Sequence, residues 1–398
     1  MQSDNSLMNS DLPEPDDYAL SLSRSLQSKI QTNIADNGGD ISFAEYMRMA
    51  LYEPGLGYYS AGASKFGESG DFITAPEVSS LFSVCLARQC AEVLAELKNP
   101  IILEFGAGTG LMACDIMKEL ERLNCLPDSY YILEPSADLR QRQHNLLEKS
   151  LPHLISKIIW LDTLPDDAFD GVILANEVLD AMPVHRFCVH KSELKEIRVV
   201  WENNEFVRRD VVCEGVLKDK TTRALDAPLG DYGDDYCSEI NIDLDAWVQS
   251  ISNCLRQGLI LLIDYGYSRH EYYHQQRAQG TLLCHYRHRV HSNPFIFVGL
   301  QDITASVDFT AVAEAAVASK LSVSGFTTQA YFLFASGLDR IMQEQKDLSN
   351  VEQLELSRQI KTLTLPGEMG ERFKVIALTR KLNSSLSGFS LVDHRRRL

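Results

Sequence analysis

The first chemical signal is a glycine turn with acids around it. The short apolar run Ile101-Ile102-Leu103-Glu104-Phe105 leads into Gly106-Ala107-Gly108-Thr109-Gly110. At the carboxyl edge of an open parallel sheet, the first strand-to-helix turn forms a ligand crevice. Glycines there let a ligand approach the backbone closely. The flanks decide which ligand. A dinucleotide fingerprint needs a glycine at position 111, where Leu111 stands, and a Walker loop needs a lysine, which first occurs at Lys118. Glu104, two residues before the first glycine, would repel a pyrophosphate. It suits a ligand with an ammonium group and no phosphate, such as S-adenosylmethionine (SAM). Glu134 ends the run Tyr131-Ile132-Leu133, and an acid at this place hydrogen-bonds both hydroxyls of an adenosine ribose. Asp162 follows a third apolar run and is placed to reach the adenine amino group. The competing reading of all three acids is a solvated carboxylate in a tight turn.

A second pattern points to different chemistry. His270-Glu271-Tyr272-Tyr273-His274 is formally HExxH, in which two histidines on one helix face bind zinc and the glutamate acts as base. The longer zinc-protease pattern needs glycine at 277 and histidine at 280, where Arg277 and Gly280 stand. The flanks Ser268, Arg269, Gln275 and Gln276 are polar rather than apolar. His285, His288 and His291 lie close downstream. The expectation is a polar loop and no metal site, with a zinc hydrolase as the rival reading.

The elements around these residues alternate. Apolar runs at 101–105, 130–133, 157–161 and 171–175 are separated by helical patterns at 111–123 and 137–148. Such alternation predicts a parallel sheet with helices on its faces. An amphipathic helix is predicted over 77–97, an antiparallel excursion over 187–212, and a helix over 244–255 leading to the apolar strand 259–264. Further strands are expected near 330–334 and 373–379, and a helix over 309–321 with Asp308 as N-cap. The fold class is α/β and Rossmann-like: a mostly parallel, doubly wound sheet with a helical N-terminal extension and insertions. Residues 1–17 read as a mobile acidic tail, 18–99 as the extension with a glycine-rich loop, and 100–382 as the main domain. Insertions fall near 185–237 and 268–305, and 383–398 reads as a polar tail.

Composition limits the partners. Of the 398 residues, 38 are Lys or Arg and 55 are Asp or Glu, for a net charge of -17. Such a surface gains nothing from counterion release on a phosphate backbone, so nucleic acid is not expected. No apolar run approaches the roughly 18 residues of a membrane helix. The nine cysteines are never spaced as CxxC, which points to a reducing compartment. The acidic N-terminal stretch resembles neither a signal nor a transit peptide, so a cytoplasmic location is expected.

Four segments carry a family resemblance: Gly70-Asp71-Phe72-Ile73-Thr74-Ala75-Pro76-Glu77, the stretch Glu104 to Gly110, Asn176-Glu177-Val178-Leu179-Asp180-Ala181-Met182-Pro183-Val184, and Gly370-Glu371-Arg372-Phe373. In this order they resemble the MidA family of class I SAM-dependent methyltransferases, from about Ser42 to Leu382. That family includes the mitochondrial complex I assembly methyltransferase. The resemblance implies SAM as cofactor and, by its eukaryotic members, methylation of an arginine on a partner protein such as a respiratory-complex subunit. It also implies that Asp71 belongs to a lid over the cofactor, beside the plain reading of a loop acid.

The acceptor must then face the methyl group over the carboxyl ends of the fourth and fifth strands. Acids there suit a guanidinium, whose planar fork is held best by paired carboxylates. The candidates are Glu177 first, then Asp180 and Asp264, each against the reading of a capping acid. Alternatives stay open: a small-molecule or non-arginine acceptor, or a SAM-binding assembly factor with little or no catalysis. A homodimer is compatible with the sequence.

Overall fold

The computed structural model describes residues 12–60, 73–344, 349–382 and 385–398. The chain forms two compact units. Among the described residues, one comprises 12–60, 180–242 and 269–306, and the other 73–179, 243–268, 307–344, 349–382 and 385–398.

The second unit is built on an eight-stranded sheet. Its strands are β1 (Ile101–Phe105), β2 (Ser129–Leu133), β3 (Ile158–Leu161), β4 (Phe169–Asn176), β5 (Leu255–Tyr267), β6 (Val307–Asp308), β7 (Ser322–Thr328) and β8 (Phe373–Arg380). The order is β7-β8-β5-β4-β1-β2-β3, with β6 pairing β5. The pairs from β3 through β5 are parallel, whereas β8 runs antiparallel to both its neighbours. The central strands are apolar without alternation because both faces are covered. Ile102, Leu103, Val172, Ile173, Leu174 and every residue from Leu259 to Ile263 are fully buried.

Helix α1 (Ala75–Val78), α2 (Ser80–Leu94), α3 (Leu111–Arg122) and α4 (Ala137–Ser150) follow in chain order, then α5 (Leu244–Cys254) and α6 (Phe309–Ala318). Leu81, Phe82, Cys85 and Leu86 from α2, with Ala113, Ile116, Met117 and Leu120 from α3, pack with the sheet residues in one core. The helix expected over 77–97 is broken at Ser79, whose extended backbone and side-chain bond to the Leu81 N–H cap a new helix. Asp308 caps α6 by accepting from the Thr310 and Ala311 N–H groups.

The strand expected near 330–334 is instead the helix Gln329–Ala335, capped by Thr328, while the preceding residues form β7. A short apolar run fits either element, and tertiary packing decides. The expected polar tail is also packed: Leu386 and Phe389 join the core, and Phe389 meets Phe332 edge-on at 5.6 Å.

The first unit holds helices Asp17–Asp36 and Phe43–Tyr52 and a five-stranded antiparallel sheet. Strands His185–His190, Glu193–Glu202 and Glu205–Val212 form a meander. Asn203 and Asn204, at φ 50° and 65°, make its tight turn, a conformation asparagine tolerates well. Strand His185–His190 also pairs with Tyr236–Ile240, and Glu193–Glu202 with Ile41–Ser42. Phe43, Tyr46, Met47, Leu51, Val199 and Phe206 centre its core. Among the described residues no helix is long and apolar enough to cross a membrane.

Candidate active site

Glu104, the penultimate residue of β1, is buried between β2 and β4 in register with Ile132 and Leu174. Its Oε2 accepts from the Tyr130 hydroxyl at 2.7 Å, while Oε1, equally buried, meets no hydrogen-bond donor among the described residues. Burial pushes the carboxyl up to about 7; Tyr130 opposes the shift and Glu134 adds to it. A buried acid with an unsatisfied oxygen and a second acid nearby is a place where a cation is welcome.

The glycine turn follows directly. Gly106, Gly108 and Gly110 all adopt left-handed φ values of 60°, 53° and 86°, which side-chain-bearing residues reach only at a cost. A Cβ on Gly108 would project into open space, whereas one on Gly110 would press Gln143 at 3.3 Å. The open crook beside Gly108 leaves backbone accessible at the N-terminus of α3.

Glu134, at the end of β2, is also buried. Its Oε1 accepts from the Ser136 N–H at 3.0 Å and its Oε2 from Gln143 Nε2 at 3.3 Å. The same Gln143 nitrogen donates to the Gly108 carbonyl at 3.0 Å, and its oxygen accepts from Trp160 Nε1 at 2.9 Å. One amide thus ties the ribose-type acid, the glycine turn and β3 together. Sequence reasoning missed Gln143 and Trp160. The available signal was a polar residue at 143 between Leu139 and Leu147, all three buried on one face of α4. Asp162 sits beyond β3 with its side chain 86% exposed and ion-paired to Arg140.

Glu177 follows β4. Its backbone is held at φ 53° and its N–H donates to the Ile263 carbonyl of β5 at 2.9 Å. Asn176, buried beside it, donates to Glu177 Oε1 at 3.1 Å. Asp264, wholly buried on β5, accepts from the Leu179 N–H at 3.0 Å and the Tyr265 N–H at 2.9 Å. It anchors the segment that carries Glu177.

Asp180 belongs to the first unit. It is buried; its carbonyl accepts from Ala305, and its charge is felt by Tyr59, whose hydroxyl donates to Asp302 at 3.0 Å. Asp71 and the rest of 61–72 lie outside the described residues, as do residues 1–11.

The histidine-rich segment does not form the zinc-binding helix. Its helix covers only Arg269–Tyr272, so His270 and His274 are not presented by successive turns, and the His270 side chain is 79% exposed beside Asp226. Among the described residues no group of three or more His, Cys, Asp or Glu is arranged to hold a metal.

A family of S-adenosyl-L-methionine-dependent methyltransferases matches residues 85–327. The chain belongs to this family. Over nearly its whole length it is also similar to a likely methyl transferase from Burkholderia thailandensis bound to S-adenosyl-homocysteine. The identity is 39% and the TM-score 0.92, covering 98% of this chain and all of that one. Protein arginine methyltransferase NDUFAF7 homolog of Drosophila melanogaster is 27% identical over 92% of this chain and 87% of its own. The human mitochondrial protein arginine methyltransferase is 29% identical over 85% and 80%.

The protein is thus a SAM-dependent methyltransferase with a Rossmann-like α/β fold, and the residues present fit its cofactor. The orphaned Glu104 oxygen suits an ammonium, the crook at Gly108 has room for a ligand, and Glu134 is a buried acceptor at the end of the neighbouring strand. Bound SAM supplies an electrophilic methyl on a sulfonium.

Proposed function

We propose that the methyltransferase modifies an arginine side chain of a partner protein, with Glu177 as the acceptor-side carboxylate. The observation that carries the role of Glu177 is its backbone. A glutamate held at φ 53° bears strain of about 1–2 kcal/mol that a glycine would remove. Strain kept at the carboxyl edge of a sheet, next to the cofactor turn, supports a need for the side chain itself. The arginine reading is supported by the mitochondrial relatives, named as protein arginine methyltransferases, whose similarity spans 85–92% of the chain.

In this reading Glu104 binds the cofactor's ammonium, the turn at 106–110 packs against it, and Glu134 accepts from the ribose hydroxyls. Asp162, exposed beyond β3, and Asp71, which lies outside the described residues, complete the cofactor set in this reading. Glu177 accepts N–H bonds from the guanidinium, fixes one nitrogen toward the methyl and favours loss of the proton that methylation releases. Orientation is the main contribution expected of a protein in such a transfer. Asp264 acts by holding the Leu179 N–H, and so the Glu177 loop, in place. Asp180 ranks behind Glu177 as the alternative acceptor-side carboxylate. The reading keeps the reaction in the cytoplasm, and the nine free cysteines support a reducing compartment.

The test is to incubate purified protein with methyl-labelled SAM and a cell extract lacking it, hydrolyse the proteins and identify the labelled amino acid. Methylarginine that disappears with Glu177→Gln supports the reading. Label in lysine or in a small molecule overturns the arginine acceptor. SAM binding without any transfer favours the assembly-factor role.

A further inference from the structure

We propose that Cys188 and Cys237 form a reversible cross-strand disulfide when the protein meets a hydroperoxide. The two residues lie directly opposite each other on the antiparallel strands His185–His190 and Tyr236–Ile240. The Cys237 N–H does not bond across this pair but turns outward to the Ala278 carbonyl at 2.8 Å. That makes it a non-hydrogen-bonded pair, the position where opposed Cα atoms come within about 4.5 Å. A disulfide spans Cα separations of about 4.4–6.8 Å, so the strands need little movement to close one.

The surroundings distinguish the two sulfurs. The Arg208 guanidinium donates to Cys237 Sγ at 3.3 Å, and Cys188 Sγ lies 3.5 Å from Asp210 Oδ2. Arg208 and Asp210 also pair with each other, each side chain about 38% exposed over the buried thiols. The Cys237 thiol also lies 3.5 Å from the Asp235 carbonyl, to which it can donate, and burial opposes charge there. Contact with Cys188 and the Arg208 guanidinium favour the thiolate on Cys237, while Cys188 is pushed up and keeps its proton. Thiolate beside thiol, under the partly exposed Arg208–Asp210 pair, is the arrangement of an attacking and a resolving cysteine. None of the other cysteines shows this pairing; Cys85, Cys90 and Cys284 are buried and pushed up by burial.

The chemistry balances with the hydroperoxide as two-electron oxidant. The Cys237 thiolate attacks one peroxide oxygen, the S–O bond forms and the O–O bond breaks, and the departing hydroxide takes up a proton to leave as water. The Cys188 sulfur then attacks the sulfenic sulfur. The S–S bond forms, the S–O bond breaks, and the sulfenic hydroxyl leaves as water with the Cys188 proton.

The experiment treats full-length, SAM-loaded protein with stoichiometric hydrogen peroxide, alkylates the remaining thiols after unfolding, and maps peptides by mass spectrometry. The expected result is a dithiothreitol-sensitive peptide joining Cys188 to Cys237 while the other cysteines stay alkylated. Cys188→Ser should leave Cys237 as a sulfenic acid trapped by a 1,3-dione, and Cys237→Ser should protect Cys188. Arg208→Met should slow oxidation roughly tenfold. Absence of the joined peptide, prior oxidation of the half-buried Cys125, or identical behaviour of the two serine variants overturns the proposal.

Discussion

Cofactor binding should release a proton from Glu104, and this can be measured. In the ligand-free protein burial holds this carboxyl at about 7, so near neutrality about half the molecules carry the proton. An ammonium arriving at the unsatisfied oxygen stabilises only the ionised form. If Glu104 is fully ionised in the complex, affinity scales with its ionised fraction in the free protein. SAM should therefore bind about 25-fold more weakly at about pH 5.5 than at about pH 7.5. Titration calorimetry in two buffers of different ionisation enthalpy should count about half a proton released per SAM near pH 7, rising toward one below about pH 6. Glu104→Gln keeps an acceptor for Tyr130 but cannot titrate, so its weaker binding should be flat across the range. The same shift fixes the sign for stability. The carboxyl holds its proton longer in the folded chain, so its contribution is fully present below about 4.5. It is lost as pH rises toward about 7, a change of about 3 kcal/mol that Glu104→Gln should abolish. A pH-independent wild-type affinity, or an equal slope in Glu104→Gln, would refute the reasoning.

Other outcomes follow from the same site. Glu134→Ala should weaken SAM binding by about 10–100-fold, the loss of hydrogen bonds to a charged acceptor, as read by equilibrium dialysis. Gly108→Ala should cost about 1–2 kcal/mol of stability from its left-handed backbone and also obstruct the cofactor, visible as a lower melting temperature that SAM no longer raises. Glu177→Gly should melt at or above the wild-type temperature because its strain is relieved, bind SAM within about twofold of wild type, and lose about 100-fold or more in kcat. Asp264→Ala removes the acceptor of the buried Leu179 N–H and should destabilise by about 1–3 kcal/mol in urea unfolding.

Much of the sheet was legible because its signals are local. A strand buried on both faces must be continuously apolar, and 101–103, 172–175 and 259–263 are. The glycine turn was legible because its conformation excludes most side chains. Helix Gln329–Ala335 was misread because its seven residues are mostly apolar and carry no period long enough to separate helix from strand. Ser79 splits a predicted helix through one local cap. Gln143 escaped because its partners, Gly108, Glu134 and Trp160, come from three other elements and meet only in three dimensions. The docking of Phe389 was likewise set by tertiary contacts.

The threefold origin of the first unit has a consequence for how the protein is made. Its core joins Phe43 and Tyr46 to Val199 and Phe206, then to Cys284, Val298 and Ile303. A ribosome adding about 5–20 residues per second therefore needs roughly 10–50 s between the first of these and the last. Through that interval the apolar faces of the two N-terminal helices emerge without their final partners. Strand Ile41–Ser42 likewise waits for Glu193–Glu202. Assembly of this unit is thus largely a late event in synthesis, and the newborn N-terminal segment is the part of the chain with most need of a chaperone.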